Sequence, residues 1–328
     1  PGKLDLVHQS LFSKIAESTN GEYAEAVIGK WHISSPVDYD HPMQHGIDHY
    51  EGLFSSSVSD YYSWDKVENG VLTTSNEYVT TDLTNSAIDW ISNQDSPWFL
   101  WLAHPAPHAP FHIPPSDLYT VSNTNNDLGK YLAAIEAMDH EIGRLLESMN
   151  QETRENTVII FVGDNGTPGG VIQNFPSAHS KGSMYEGGIR VPLFISGKGV
   201  SRINEVDNNL NHVADLYSTI LELTGEQLNG GIHNSMSLKP LLSCETELSR
   251  PYIYTDYEDN NVLTWAVRND EYKLIEDENG NLEFYKISED ILEENNLIGS
   301  MTMLEEDILK ALQGEAQAIR TGWSCNDG

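Results

Sequence analysis

Short, unbroken apolar runs alternate with stretches of helical period through most of the chain. "YAEAVIG" and "WFLWLA" (98–103) read as buried strands, as do "TVIIFV" (157–162) and "VPLFIS" (191–196). Strands with no polar alternation are expected where both faces of a sheet are covered. Between them, "VHQSLFSKIAES" carries a helical period. "TDLTNSAIDWISN" does too, with Thr81 or Asp82 as N-cap and Leu83, Ala87, Ile88, Trp90 and Ile91 on one stripe. The longest periodic segment is 128–149, where Leu128, Tyr131, Leu132, Ile135, Met138, Ile142, Leu145, Leu146 and Met149 keep the 3.6 spacing. "VADLYSTILELTG" predicts a helix closed by Gly225. Together these elements predict an α/β fold: a mostly parallel or mixed central sheet sandwiched by helices.

After "RPYIYTDYE" the pattern changes. "WAVR" and "EYKLI" alternate with period two, Asn279-Gly280 marks a tight turn into a third strand, and "MLEEDILKALQGEAQAI" supplies a helix. The expected division is a large α/β domain over 1–245 and a small antiparallel sheet-plus-helix subdomain over 246–328.

Composition narrows the choice of partners. Eighteen Lys and Arg stand against fifty Asp and Glu, for a formal charge of -32. Such a field repels polyanions and argues against nucleic acid and anionic membranes, so any anionic ligand must be captured locally. No apolar run reaches the ~20 residues of a membrane-spanning helix. Cys244 and Cys325 stand in no metal-type spacing and leave open one disulfide or two thiols.

In parallel sheets, ligands gather outside the carboxyl ends of the strands. After "AVIG" come Lys30 and His32, which share one face of extended backbone; a surface lysine and a satisfied histidine are the plainer alternative. After "WFLWLA" come His104, His108 and His112 in a proline-stiffened loop, whose spacing matches no familiar zinc site. "GDNG" sets Asp164 and Asn165 between two glycines, hard oxygen donors suited to Ca²⁺ or Mg²⁺ or else an ordinary Asx turn. Lys181 lies in a glycine-punctuated loop, which Arg190 is expected to brace with Glu186 as a partner. Lysines, imidazoles and a metal on one rim would suit a small tetrahedral oxyanion.

These residues resemble the sulfatase family of the alkaline-phosphatase-like superfamily. "IGKWHIS" is similar to the family's G-K-W-H-L-G, with Ser34 in place of the last glycine. "HGIDHYEG", "APHAP", "GDNG" and "KGSMYEGGIRVP" follow in the family's order, and "AVRNDEYKLI" with "EFYKISEDILEENNLI" looks like its C-terminal subdomain. The resemblance implies hydrolysis of an aryl or carbohydrate sulfate ester by a formylglycine made from a Cys or Ser in C/S-x-P-x-R, with calcium at the sulfate. Lys30 and Lys181 would then bind sulfate oxygens, and His32 would serve the formylglycine diol. His108 would protonate the leaving alcohol, and Asp164 and Asn165 would be metal ligands. A periplasmic or secreted location is implied too. No C/S-x-P-x-R occurs in the sequence, and only 29 residues precede Lys30. The chain, which opens on "PGKLDLVHQS", is therefore expected to lack the family's N-terminal nucleophile segment and to be inactive alone. A sulfate- or sulfoglycan-binding homologue without turnover, and a phosphoester or phosphonate hydrolase, are the alternatives. Loops 33–80 and 104–127 are expected to line the alcohol pocket, with Tyr61, Tyr62 and Trp64 either stacking on a sugar or packing the loop.

Overall fold

The computed structural model describes residues 3–228, 232, 234–243, 250–259 and 262–322. Cys244 and Cys325 lie outside the described residues. Contacts divide the chain into two compact units, Pro1–Thr157 with Tyr217–Gly230 and Val158–Leu216 with Gly231–Gly328.

The first unit contains α1 (Leu11–Ser18), β1 (Ala24–Lys30), α2 (His41–Gln44), β2 (His49–Leu53), β3 (Trp64–Glu68), β4 (Val71–Ser75), α3 (Val79–Ser92), β5 (Trp98–Ala103), α4 (Asp127–Ser148) and α5 (Gln151–Glu155). Its sheet runs β4-β3-β2-β1-β5, with β1 parallel to both β2 and β5. The β3–β4 pair is an antiparallel hairpin turned by Asn69 and Gly70, both with positive φ. The unbroken apolar run of β1 is explained by cover on both faces. Ile28 packs with Leu83, Ala87 and Ile91 of α3, while Val27 packs with Phe12 of α1, Ile47 and Tyr50.

Three local expectations change. α3 starts at Val79, and Tyr78 stands at its N-cap with no side-chain hydrogen bond. Asp82, expected as a cap, instead accepts from Lys66 Nζ at 2.7 Å and from Ser75 Oγ. In α4 the buried positions are mostly small ones, Gly129, Ala133, Ala134 and Ala137, together with Glu141 and Leu145; Leu132, Ile135, Met138 and Ile142 are half-buried. Glu141 is held there by Thr81 Oγ1 at 2.9 Å and by Arg144. β5 is also half-buried, with Trp101 47% exposed, because among the described residues it pairs with β1 alone.

The second unit holds β6 (Val158–Val162), α6 (Glu186–Ile189), β7 (Leu193–Gly197), α7 (Asp215–Leu223, its later residues in the first unit), α8 (Lys239–Ser243), β8 (Ile253–Asp259), β9 (Val262–Arg268), β10 (Lys273–Glu276), β11 (Leu282–Tyr285) and α9 (Met303–Gly322). β6 and β7 form an antiparallel pair, whereas their apolar texture predicts parallel neighbours. Gly225 takes the left-handed conformation expected after α7. The four-stranded antiparallel sheet runs β11-β10-β9-β8, one strand more than the sequence pattern predicts.

Period-two alternation sorts the two faces of that sheet. Trp265, Val267, Leu274 and Phe284 meet Leu309, Leu312 and Ala316 of α9. Ala266, Ile275, Tyr285 and Ile287 meet Met184 and Tyr185, in the loop that carries Lys181. Among the described residues no helix is long and apolar enough to cross a membrane.

Candidate functional site

Strand ends in the first unit carry three of the expected residues. Gly29, with φ +125°, stands where the neighbours of β1 press closest: a Cβ there would lie 2.1 Å from the Ala103 carbonyl oxygen. A Cβ on Gly52 would lie 1.8 Å from the Gly29 carbonyl oxygen, which accepts from the buried Tyr50 hydroxyl at 3.1 Å. Only glycine fits at such a backbone approach. Trp31 N–H donates to the Leu53 carbonyl at 2.8 Å and continues the β1–β2 pairing by one residue. Trp31 itself is buried with Phe12, Tyr50 and Phe54, and its Nε1–H donates to His41 Nδ1 at 3.1 Å. Alternation therefore gives Lys30 and His32 the opposite face.

His108 follows β5 in a loop clamped by the Tyr61 hydroxyl, which donates to the Pro105 and His108 carbonyls at 3.2 and 2.8 Å. Its Nδ1–H donates to the Ala109 carbonyl at 2.8 Å, which leaves Nε2 as the basic nitrogen. Burial, then Lys30 and His108, hold the His32 pKa below the ordinary imidazole value. His32 is thus close enough to sense the charges of both Lys30 and His108.

The other imidazoles of that loop do different work. His112 stacks on Tyr61 with ring centroids 3.6 Å apart and accepts from the Tyr78 hydroxyl at 3.0 Å. His104 has both ring nitrogens buried without a hydrogen-bond partner, and burial pushes its pKa down to about 4. Tyr61 and Trp64 are buried, and Tyr62 donates to the Ile113 carbonyl at 2.8 Å, so the aromatic trio packs the loop.

In the second unit, Asp164 and Asn165 follow β6, and Gly163 N–H bonds the Pro192 carbonyl at 3.0 Å. The Asp164 carboxylate accepts from its neighbour's backbone N–H at 3.0 Å and side-chain amide at 2.6 Å. Two backbone hydrogen bonds lay this loop against the lysine loop: Gly166 N–H to the Gly188 carbonyl at 2.9 Å, and Lys181 N–H to the Thr167 carbonyl at 3.0 Å. Asp164, Asn165 and Lys181 are all exposed.

A buried charge cluster anchors both loops to the antiparallel sheet. Glu186 meets Lys273 at 3.0 Å and Arg268 at 2.9 Å. Lys273 is fully buried and also meets Glu293 at 2.8 Å, while the Glu293 carboxylate accepts the Glu186 backbone N–H at 2.5 Å. Arg190, expected to pair with Glu186, stands 3.8 Å from it and is 60% exposed, so Lys273 and Arg268 are the bracing partners. Sequence reading missed this cluster. The available signal was a lysine inside the buried strand "YKLI".

Asp164 and Asn165 fit a hard divalent cation in donor type: both are exposed oxygen ligands on adjacent residues. They do not fill a coordination shell, and among the described residues no group of three or more His, Cys, Asp or Glu converges as a metal site. The six expected residues fall as Lys30, His32 and His108 in the first unit and Asp164, Asn165 and Lys181 in the second.

Residues 9–226 match the family profile described as Sulfatase, and residues 177–321 match the C-terminal profile of N-sulphoglucosamine sulphohydrolase. The chain is 27% identical over 278 residues to the mouse N-acetylgalactosamine-6-sulfatase, covering 76% of this chain and 52% of that one. It is 30% identical over 263 residues to a sulfatase of Formosa agariphila, covering 68% of this chain and 46% of the other. It spans about half to two thirds of the length of the curated relatives it matches first. Among solved structures, Ps i-CgsB in complex with k-i-k-neocarrahexaose superposes with TM-score 0.82 at 22% identity over 96% of this chain and 75% of that one. BT4656 in complex with D-glucosamine-2-N,6-O-disulfate gives 0.77 at 20% identity, over 99% and 84%.

Proposed function

The chain belongs to the sulfatase family, and from that premise we propose that it serves hydrolysis of a carbohydrate sulfate monoester, with a divalent cation, outside the cytoplasm. The observation that carries the reading is the cluster at the ends of β1 and β5. Lys30 supplies a cation for a sulfate oxygen, and His32 has a lowered pKa, so it is neutral and basic near pH 7. His108 has its Nδ1 committed to a carbonyl and its Nε2 available to hold or give a proton. A proton delivered to the leaving alcohol oxygen is worth about 10²- to 10⁴-fold in rate. Lys181 would add a second cation, and Asp164 and Asn165 would hold Ca²⁺ or Mg²⁺, whose charge screens the sulfate. A formylglycine supplies the attacking hydroxyl in this family, and the 328 residues contain no C/S-x-P-x-R from which to make one. The roles assigned here are accordingly those of binding, orientation and proton handling.

Substrates of the relatives direct the choice of alcohol: N-acetylgalactosamine-6-sulfatase and the disulfated glucosamine bound to BT4656 both concern sulfated sugars. A polymer of such sugars would be met in the periplasm or outside the cell. The test is turnover of N-acetylgalactosamine 6-sulfate and of an aryl sulfate by the gene's full product. His108→Ala is expected to lower turnover by about 10²- to 10⁴-fold. Sulfate binding without turnover would make the protein a non-catalytic sulfate binder, and faster turnover of phosphate esters would make it a phosphohydrolase.

A further inference from the structure

Three of the chain's seven arginines, Arg190, Arg202 and Arg268, line one cavity of about 700 Å³ in the second unit. That concentration of guanidinium stands out in a molecule of formal charge -32. The volume lies in the range of small-ligand sites. None of the six residues assigned above lines it.

The arginines are not equally committed. Arg202 donates Nε–H to Glu205 at 2.8 Å and Nη1–H to Asp207 at 2.5 Å, and Asp207 spends its other oxygen on Asn209. Arg268 donates to Glu186 and to the Asn269 carbonyl. Arg190 makes no hydrogen bond from its guanidinium among the described residues, its only ion pair is the 3.8 Å approach to Glu186, and its side chain is 60% exposed. Its planar fork is therefore presented to the cavity, and a fork of that shape matches two oxygens of a sulfate group. The remaining lining is of the kind that holds a sugar: Asp270, Asn208 and Ser288 for hydroxyl groups, and the exposed Ile291 for the apolar face of a ring. Asp270 repels an anion, which orients a ligand with its sulfate at Arg190 and its hydroxyls at Asp270.

We propose that this arginine-lined cavity is a second saccharide site, which holds a sulfated sugar unit through Arg190. The choice of ligand rests on the reading of the chain as a carbohydrate sulfatase; the cavity and its charge do not. The site would bind without cleaving, and so would hold a longer sulfated chain on the protein.

Binding at this cavity can be read without turnover. In the full chain, the Nε–Hε NMR signals of Arg190, Arg202 and Arg268 are followed during titration with N-acetylgalactosamine 6-sulfate, N-acetylgalactosamine and inorganic sulfate. The expected result is saturable shifts with the sulfated sugar, at least tenfold tighter than with either other probe. Arg190→Ala should weaken that binding at least tenfold, and Lys181→Ala should leave it unchanged. Absence of shifts, an unchanged affinity in Arg190→Ala, or equal binding of inorganic sulfate, which means an adventitious ion only, would overturn the proposal. Should Arg190→Ala not fold, Asp270→Asn decides: it should bind the sulfated sugar as tightly as wild type or tighter, while binding the neutral sugar more weakly. Hydrolysis is read separately by turnover, so loss of one reading leaves the other standing.

Discussion

The strand-end cluster of the first unit and the paired loops of the second place similar chemistry by different means. Lys30, His32 and His108 are positioned by a sheet: β1 runs parallel to β5 and β2, and Gly29 and Gly52 let these neighbours close on β1 to a spacing no side chain would permit. The tyrosine clamp on the His108 loop then adds two neutral hydrogen bonds. Asp164, Asn165 and Lys181 sit on loops rather than at paired strand ends, and these loops are held to the antiparallel sheet by the buried Glu186–Lys273–Glu293 cluster with Arg268. One arrangement depends on close backbone packing and the other on balanced buried charge, so they should fail under different perturbations.

The largest effect is expected from unbalancing the charge cluster. Lys273→Met leaves Glu186 and Glu293 facing each other without their shared cation and should cost about 3–5 kcal/mol. Adding Glu293→Gln should recover part of that loss, and chemical denaturation of the two variants measures both terms. A neutral Lys273→Met would show that packing by Met184 and Tyr185 alone anchors the loops.

Next comes the close approach of backbones. Gly52→Ala drives a methyl group against the Gly29 carbonyl and should cost about 1–3 kcal/mol or more, with loss of sulfate affinity at Lys30. Gly143→Ala, where nothing lies within 4 Å of the added carbon, serves as the control and should fall within about 1 kcal/mol of wild type.

The smallest effect sharpens the contrast by pH. Glu25 on β1 is buried with both carboxylate oxygens unpartnered, and burial, then Asp48, pushes its pKa up to about 8. Between the ordinary value of 4.5 and about 8, the folded state holds a proton that the unfolded chain has released. Its contribution to stability is therefore full below 4.5 and is lost as pH rises through about 8. Glu25→Gln should remove this slope, so that its stability relative to wild type rises steadily from pH 4.5 towards pH 8. Thermal melts between pH 4 and 9 would show the two curves converging at the acid end.

Much of this was readable in the chain because it depends on neighbours close in sequence. The runs of β1 and β5, the Asn279-Gly280 turn and the helix at 303–322 announce themselves by period and turn chemistry. The positions of Lys30 at the end of a strand and of His108 and Asp164 in the loops that follow strands come from the same reading. Asn69-Gly70 carried an equally clear hairpin signal, which the apolar pattern around it obscured.

The amino-acid order by itself determined which segments become strands and helices and which residues stand at their ends, since propensity, period and turn geometry act over a few residues. Tertiary structure alone decided that α4 buries its alanines, that β6 pairs antiparallel with β7, and that Glu186 chooses Lys273, 87 residues away, over Arg190. Those outcomes turn on which surfaces meet and which charges are shut off from water together, and both are set by contacts between residues far apart in sequence.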